Sequence, residues 1–342
     1  MTRRRFANLL ALLVPLAVNA AEVRCASAES MAGLMTAWTQ GFTALHASTP
    51  ARVTRPEKFS AAAFEALLRG EVDVVPFSRE PFPSERARYA KKFGGTPLLV
   101  PIATGSRDTK GGTHAIAIFV NEKNPLTRLS LAQLREIFAR DGRITTWGQL
   151  GLTGGWTARK ISLHGMVVRR ETGDPPGVVN FLEQRLLAGR EWRGDVVAHA
   201  DVPNGPQGLE LIVRAVAADE GALGYSGFAY AQPGTKTLAL AAGSPEPFRQ
   251  AQGPEPVEGP VERGETDAGS FFAGTPDEVA RRAYPLARTI YLCVRSTPDE
   301  TTRAFIRHAL SPAGQRAIAE DTQKFFPLPT DTVATALREV AR

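Results

Sequence analysis

The chain has 342 residues, 43% apolar and 22% charged, with a formal net charge of +6. That length supplies two domains with cores of their own. The balance excludes a disordered or fibrous chain, the scattered basic residues exclude a nucleic-acid stripe, and no run beyond the N-terminus is long and apolar enough to span a bilayer.

Residues 1–20 read as a signal peptide. Arg3, Arg4 and Arg5 form a basic start, the run from Phe6 to Val18 is apolar, and Val18 and Ala20 give a small-residue cleavage pattern. The opening Thr2-Arg-Arg-Arg-Phe6 carries part of a twin-arginine pattern, with Sec export the preferred reading. Arg24 precedes Cys25 where a lipid-attachment site needs a small residue, so the expectation is a soluble exported protein without a lipid anchor.

A strand is predicted over 22–26. Met31, Leu34, Met35, Trp38, Phe42 and Leu45 then recur at helical spacing. Ser60 opens a second helix with Phe64, Leu67 and Leu68 inward, Gly70 ends it, and 72–75 reads as a buried strand. A further strand covers 115–120. Ser130 then starts a helix to Phe138, with Gln133 completing a capping box and Leu131, Leu134, Ile137 and Phe138 on one face. Helices follow over 175–187 and 209–216, and a Gly-rich strand over 221–225. The stretch 243–274, rich in Pro, Gly and Glu, reads as a disordered surface insertion. A strand at 289–294, a helix carrying Phe305, Ile306, Ala309 and Leu310, and a last helix opening at Ser311-Pro312 complete the chain. Strands alternating with helices predict an α/β fold.

The residues offer no catalytic constellation. Gly224-Tyr-Ser-Gly-Phe228 is not a nucleophile elbow, because its second glycine is misplaced. Phosphate-loop and dinucleotide fingerprints are missing. His46, His114, His164, His199 and His308 read as isolated, without metal-ligand spacing. No enzyme, metal or cofactor is therefore expected. The two cysteines, Cys25 and Cys293, lie in apolar strand-like runs; buried free thiols are the plain reading, and a disulfide stays open.

Three phrases are more specific. Phe119-Val-Asn-Glu-Lys-Asn-Pro-Leu126, Leu131-Ala-Gln-Leu-Arg-Glu-Ile-Phe138 and Thr146-Trp-Gly-Gln-Leu-Gly151 resemble the second lobe of phosphate-type (PstS-like) periplasmic solute-binding proteins, a family that feeds ABC importers. Gly221-Ala-Leu-Gly-Tyr225, Tyr284-Pro-Leu286, Ser311-Pro-Ala-Gly-Gln315 and Phe326-Pro-Leu328 match further family signatures in order. The resemblance implies a type II periplasmic-binding-protein fold, two lobes joined by a two-crossing hinge. Lobe 1 would take 22–113 and 289–342, and lobe 2 would take 114–288. It implies a monomer that captures a small oxyanion, phosphate first, and presents it to an ABC permease.

Such a site needs helix N-termini, hydroxyls and a guanidinium. The family pattern puts Ser30 and Met31 at the first ligand loop, Ser60 at the second, and Ser78 and Arg79 at the end of the following strand. The resemblance also makes Arg170, Gly173 and Asp174 of the second-lobe loop ligand-binding candidates; taken by themselves, Ser30 and Ser60 serve equally as helix caps, Ser78 as a turn closer, and Arg170 as half of a surface ion pair. In the second-lobe loop the family reads Arg, two variable residues, then Gly-Ser-Gly-Thr, whereas this chain reads Arg170-Glu-Thr-Gly173-Asp174-Pro-Pro-Gly177. Proline donates no N–H, and Asp174 is expected to cap the helix with its own carboxylate. Two lost charge-assisted hydrogen bonds, at roughly 1.5–3 kcal/mol each, predict phosphate binding weakened by about a hundredfold or more. Arg79 stands near where several phosphate binders carry an Asp that accepts the ligand's proton, which a guanidinium cannot do. These departures raise an alternative: a degenerate family member acting as a sensor or protein-interaction module.

Overall fold

A computed structural model describes residues 22–167, 173–241 and 270–341. The expected signal peptide, Arg170 and most of the expected insertion lie outside the described residues.

The first half begins β1 (Val23–Ser27), α1 (Ala32–Leu45), β2 (Ala51–Pro56), α2 (Ser60–Arg69), β3 (Val74–Phe77), α3 (Pro83–Phe93) and β4 (Leu98–Thr104). There follow β5 (Ile116–Asn121), β6 (Arg128–Ser130), α4 (Leu131–Phe138), β7 (Ser162–Met166), α5 (Gly177–Leu182), β8 (Val197–His199), α6 (Gly208–Ala218), β9 (Ala222–Gly227), β10 (Thr235–Thr237), β11 (Ala239–Ala241) and α7 (Pro276–Ala280). The chain closes with β12 (Thr289–Val294), α8 (Glu300–Leu310), α9 (Pro312–Glu320), β13 (Phe326–Pro327) and α10 (Thr330–Val340). Past Leu182, α5 widens into a π-helical turn, Glu183–Leu187.

Two main sheets share one plan. The first runs β13-β4-β12-β3-β1-β2 and the second β10-β5-β9-β7-β8. In the first, β1 lies parallel to β2 and β3, and β12 enters antiparallel between β3 and β4. In the second, β7 lies parallel to β8 and β9, and β5 enters antiparallel between β9 and β10. β5 is the first strand after the chain leaves the first sheet, and β12 the first after it returns. The two crossings lie side by side: Gly105 N–H donates to Arg288 O at 2.9 Å, and Ile116 N–H to Leu286 O at 3.0 Å.

Each lobe closes on large apolar side chains whose polar ends find backbone partners. Trp38 Nε1 donates to Gly314 O at 3.0 Å, and Trp147 Nε1 to Gly221 O at 3.1 Å. Trp147 shares one buried core with Phe119, Phe138 and Tyr225. The capping box of α4 forms as read: Ser130 Oγ accepts from Gln133 N–H at 3.1 Å, and Gln133 Oε1 accepts from Ser130 N–H at 2.9 Å. Gly70 ends α2 in the left-handed region (φ 77°), where a side chain would be strained.

Several expectations need correction. β2, α3, β4, β7 and α10 carry no sequence expectation above, because β2 is a mostly exposed edge and β4 is interrupted by Pro101. α3 did leave a signal, Pro83 at its first position and Glu85 at its third; the Glu85 carboxylate accepts from Phe82 N–H at 2.8 Å. The expected insertion runs too far at its end: within it, Phe272 exchanges both backbone hydrogen bonds with Leu240, at 2.8 and 2.9 Å. Cys25 and Cys293 are free and buried. They lie on β1 and β12 with β3 between them, opposite Val74 and Val75, and pack into different cores.

Removing the Ser130 cap should cost about 1 kcal/mol. Chemical denaturation of Ser130→Ala should show a lower midpoint at an unchanged m-value; an unshifted midpoint would contradict this account of how α4 begins.

Candidate functional site

A cleft of about 510 Å³ opens between the lobes. The first lobe contributes Ser30 ahead of α1, Ser60 and Ala61 at the start of α2, and Ser78 and Arg79 past β3. The second contributes Pro176 and Gly177 at the start of α5, and Gln207 and Leu209 at the start of α6. Gly111 to His114 and Arg288, from the two crossings, complete the wall. The first backbone N–H of α2 to find a helical acceptor is that of Ala63, on Phe59 O at 3.2 Å. The N–H groups of Ser60 and Ala61 therefore precede the helical ladder and carry its positive end at the cleft.

The guanidiniums of the cleft arrive with counterions. Arg79 grips Glu85 through both terminal nitrogens, at 2.8 and 2.7 Å, and stacks 3.7 Å from the centre of the Phe82 ring. Arg288 donates to Glu80 Oε2 at 2.9 Å, with both residues only 4% exposed. Asp201 Oδ1 accepts from Gly208 N–H at 2.7 Å, occupying one free donor of α6. Lys58, exposed at the rim, lies 5.5 Å from the Phe59 ring centre.

His114 is 3% exposed. Its Nδ1 faces Gly111 O at 3.3 Å, a group that can only accept, so Nδ1 carries the proton. Burial, and then the charge of Arg288, push its pKa down to about 4. Nε2 is buried without a partner and lies against Gly227, where a Cβ would stand 2.4 Å away, so only glycine fits.

The sequence-predicted residues part company here. Ser30, Ser60, Ser78 and Arg79 do meet in the cleft wall. Neither Ser30 nor Ser60 caps a helix: Met31 and Phe59 hold the cap positions of α1 and α2, and Ser60 Oγ instead donates to Pro76 O at 3.3 Å. Met31 is fully buried in the first lobe's core and its N–H donates to Ala28 O at 2.8 Å, so it has nothing to offer a ligand. Gly173 (φ 133°) and Asp174 are exposed and stand outside the cleft wall. Asp174 does not cap α5, whose cap position is Pro176; its Oδ1 accepts from Ser84 Oγ across the lobes at 2.7 Å. The same side is tied by Asn180 Nδ2 to Glu80 O at 2.9 Å and by Arg86 to Gln184 Oε1 at 2.8 Å.

Sequence reasoning passed over Lys58, Asp201, Gln207 and Tyr230 as site residues, and the crossing residues Gly111 to His114. The last group had a signal: consecutive glycines, which adopt φ of 73° and 61°. The histidines are not all isolated. His164 Nδ1 and His199 Nε2 approach to 3.1 Å on neighbouring strands β7 and β8, although no group of three or more metal-capable side chains forms among the described residues.

A family model for a PBP superfamily domain matches residues 16–313. The chain belongs to the PBP superfamily. Within it, the chain is 27% identical over 322 residues to phosphate-binding protein PstS of Pseudomonas aeruginosa, covering 91% of this chain and 84% of that protein. It is 24% identical over 283 residues to protein SphX of Synechococcus elongatus, covering 81% and 69%. The fold superposes on PstS from Borrelia burgdorferi with a TM-score of 0.53 at 15% identity, covering 91% of this chain and all (100%) of that one. It superposes on an ABC-type phosphate transport receptor from Vibrio cholerae with a TM-score of 0.50 at 19% identity, covering 89% and 99%. The likeness to PstS-like proteins and the type II periplasmic-binding architecture expected from the sequence both hold.

Two consequences of this superfamily cleft can be measured. Glu80→Ala would leave Arg288 buried and unpaired, and should lower stability by about 3–5 kcal/mol. Pairing it with Arg288→Met should recover much of that loss; equal losses in the single and double variants would deny the coupling. His114 is a base whose folded pKa lies below its unfolded one, so the unfolded chain takes up the proton first as pH falls. The stability from keeping the ring neutral is full above 6.5 and lost as pH drops toward about 4. The loss between pH 7 and 4.5 is about 2 kcal/mol, and His114→Asn should lose that much less than the wild type over the same interval in denaturation midpoints.

Proposed function

We propose that this protein is an exported solute-binding protein. It captures a small oxyanion, phosphate first, between its lobes and presents it to an ABC permease without turning it over. One observation carries the reading: the N-terminal ends of α2 and α6, from opposite lobes, open onto one cleft beside the hydroxyls of Ser30 and Ser60. Helix N-termini offer unpaired N–H groups and partial positive charge to an anion. The names of the relatives, phosphate-binding protein and phosphate transport receptor, support phosphate as the first ligand to try. The arginine-led apolar leader supports export to the periplasm, and among the described residues no helix is long and apolar enough to cross a membrane. The crossings at 105–115 and 286–288 supply the hinge on which the lobes close.

A second reading has its own support. Arg79 and Arg288 are already paired with Glu85 and Glu80, and two prolines without N–H donors line the second-lobe wall. A cleft so neutralised suits a weaker or different anion, or a sensor that binds a partner.

Isothermal titration of anion-stripped protein in phosphate-free buffer separates the two. The transport reading expects one phosphate per chain, and Ser60→Ala should weaken it about tenfold or more by removing a hydroxyl that turns from Pro76 O to donate to the charged ligand. An absence of heat with phosphate, sulfate and arsenate alike would end that reading and leave the sensor.

A further inference from the structure

Three arginines gather beside the second crossing, and among the described residues none of them pairs with a carboxylate. Arg135, on α4, donates through Nε to Leu186 O at 2.7 Å. Arg185, the residue before Leu186, donates through Nε to Pro285 O at 3.1 Å. Arg282 lies three residues before Pro285, its backbone left-handed at φ 60°, and donates through one terminal nitrogen to Thr289 Oγ1 at 3.0 Å. All three are half-buried. The pKa of Arg185 is lowered, first by burial and then by the charges of Arg282 and Arg135.

The acids on the surrounding elements are engaged elsewhere. Glu136 holds Arg190 at 2.6 Å, Asp277 holds Arg281 at 2.9 Å and Glu80 holds Arg288 at 2.9 Å. Glu278 accepts from Thr275 N–H at 2.9 Å, and Glu183 from Trp192 Nε1 at 2.9 Å. Like charges drawn partly out of water and left uncompensated destabilise the fold unless something supplies the opposite charge. The carbonyls hold only the Nε atoms, so the terminal nitrogens of Arg135 and Arg185 have no protein acceptor among the described residues. Such forks match the geometry of an oxyanion.

We propose that Arg135, Arg185 and Arg282 form a second anion site, separate from the cleft, for a compact multivalent oxyanion of the phosphate or pyrophosphate class. None of the three lines the cleft. The site's position gives it leverage: Arg185 holds Pro285 and Arg282 holds Thr289, on either side of Arg288. An ion bridging the two arginines would grip the segment that joins the lobes.

Titration of sodium pyrophosphate into anion-stripped protein at low ionic strength tests this. Arg185→Gln/Arg282→Gln should lose a binding component by at least tenfold in affinity, and with it the rise in melting temperature that pyrophosphate gives the wild type. Arg281→Gln, an exposed neighbour paired with Asp277, should keep that component, and so should Ser60→Ala, which reports on the cleft. If the double variant does not fold, Arg282→Gln alone should still weaken the component severalfold. Unchanged affinity, stoichiometry and melting shift in these variants would overturn the proposal. Binding of an acidic peptide at the cluster more tightly than pyrophosphate would overturn it too, giving the face to a protein partner.

Discussion

Arg288 ties together parts of this molecule that lie far apart in the sequence. Its carbonyl accepts from Gly105 N–H on the opposite crossing, and its guanidinium reaches Glu80 on the first lobe. The same group lies over the ring of Phe181 and near the carbonyl of Gly177, both on α5 of the second lobe. A charge this deeply withdrawn from water persists only with its partner in place. The pair therefore requires the end of β3 and the second crossing to keep their relative positions. The floor of the cleft follows from that requirement.

The same economy governs the cleft's field. Arg79 and Arg288 both bring a guanidinium to the cleft wall. In the fold each is matched by a glutamate, and Asp201 takes an N–H of α6. What remains for an anion is short-ranged: peptide N–H groups, serine hydroxyls and the rim ammonium of Lys58. Discrimination then depends on fit and hydrogen-bond direction more than on net charge.

What the sequence disclosed and what it withheld divide along a physical line. The α4 cap, the apolar face of α1 and the buried β5 and β12 were legible because each depends on neighbours within one helical turn or one strand. Ser30, Ser60, Ser78 and Arg79 were legible as cleft residues because they sit at element ends, where family wording and local chemistry agree. Met31 was misassigned because a backbone position beside a ligand loop says nothing of where the side chain packs. Asp174 was misassigned because its true partner, Ser84, is ninety residues away in a part of the chain where no helix was foreseen. Separation along the chain, 208 residues and 35 residues, likewise hid the Glu80–Arg288 pair and the approach of His164 to His199. Contacts between remote elements leave no local pattern to read.

The shared strand plan of the two sheets bears on biosynthesis. β12 is wedged between β3 and β4, yet it starts at Thr289, long after Val74 and Leu98 begin those strands. The leading half cannot seal its sheet until the chain has passed Val294, whereas the intervening half holds all five of its own strands by Thr237. The nested lobe can thus mature while its host stands open, and a ribosome or translocon that released the chain early would deliver a finished guest inside an unfinished house.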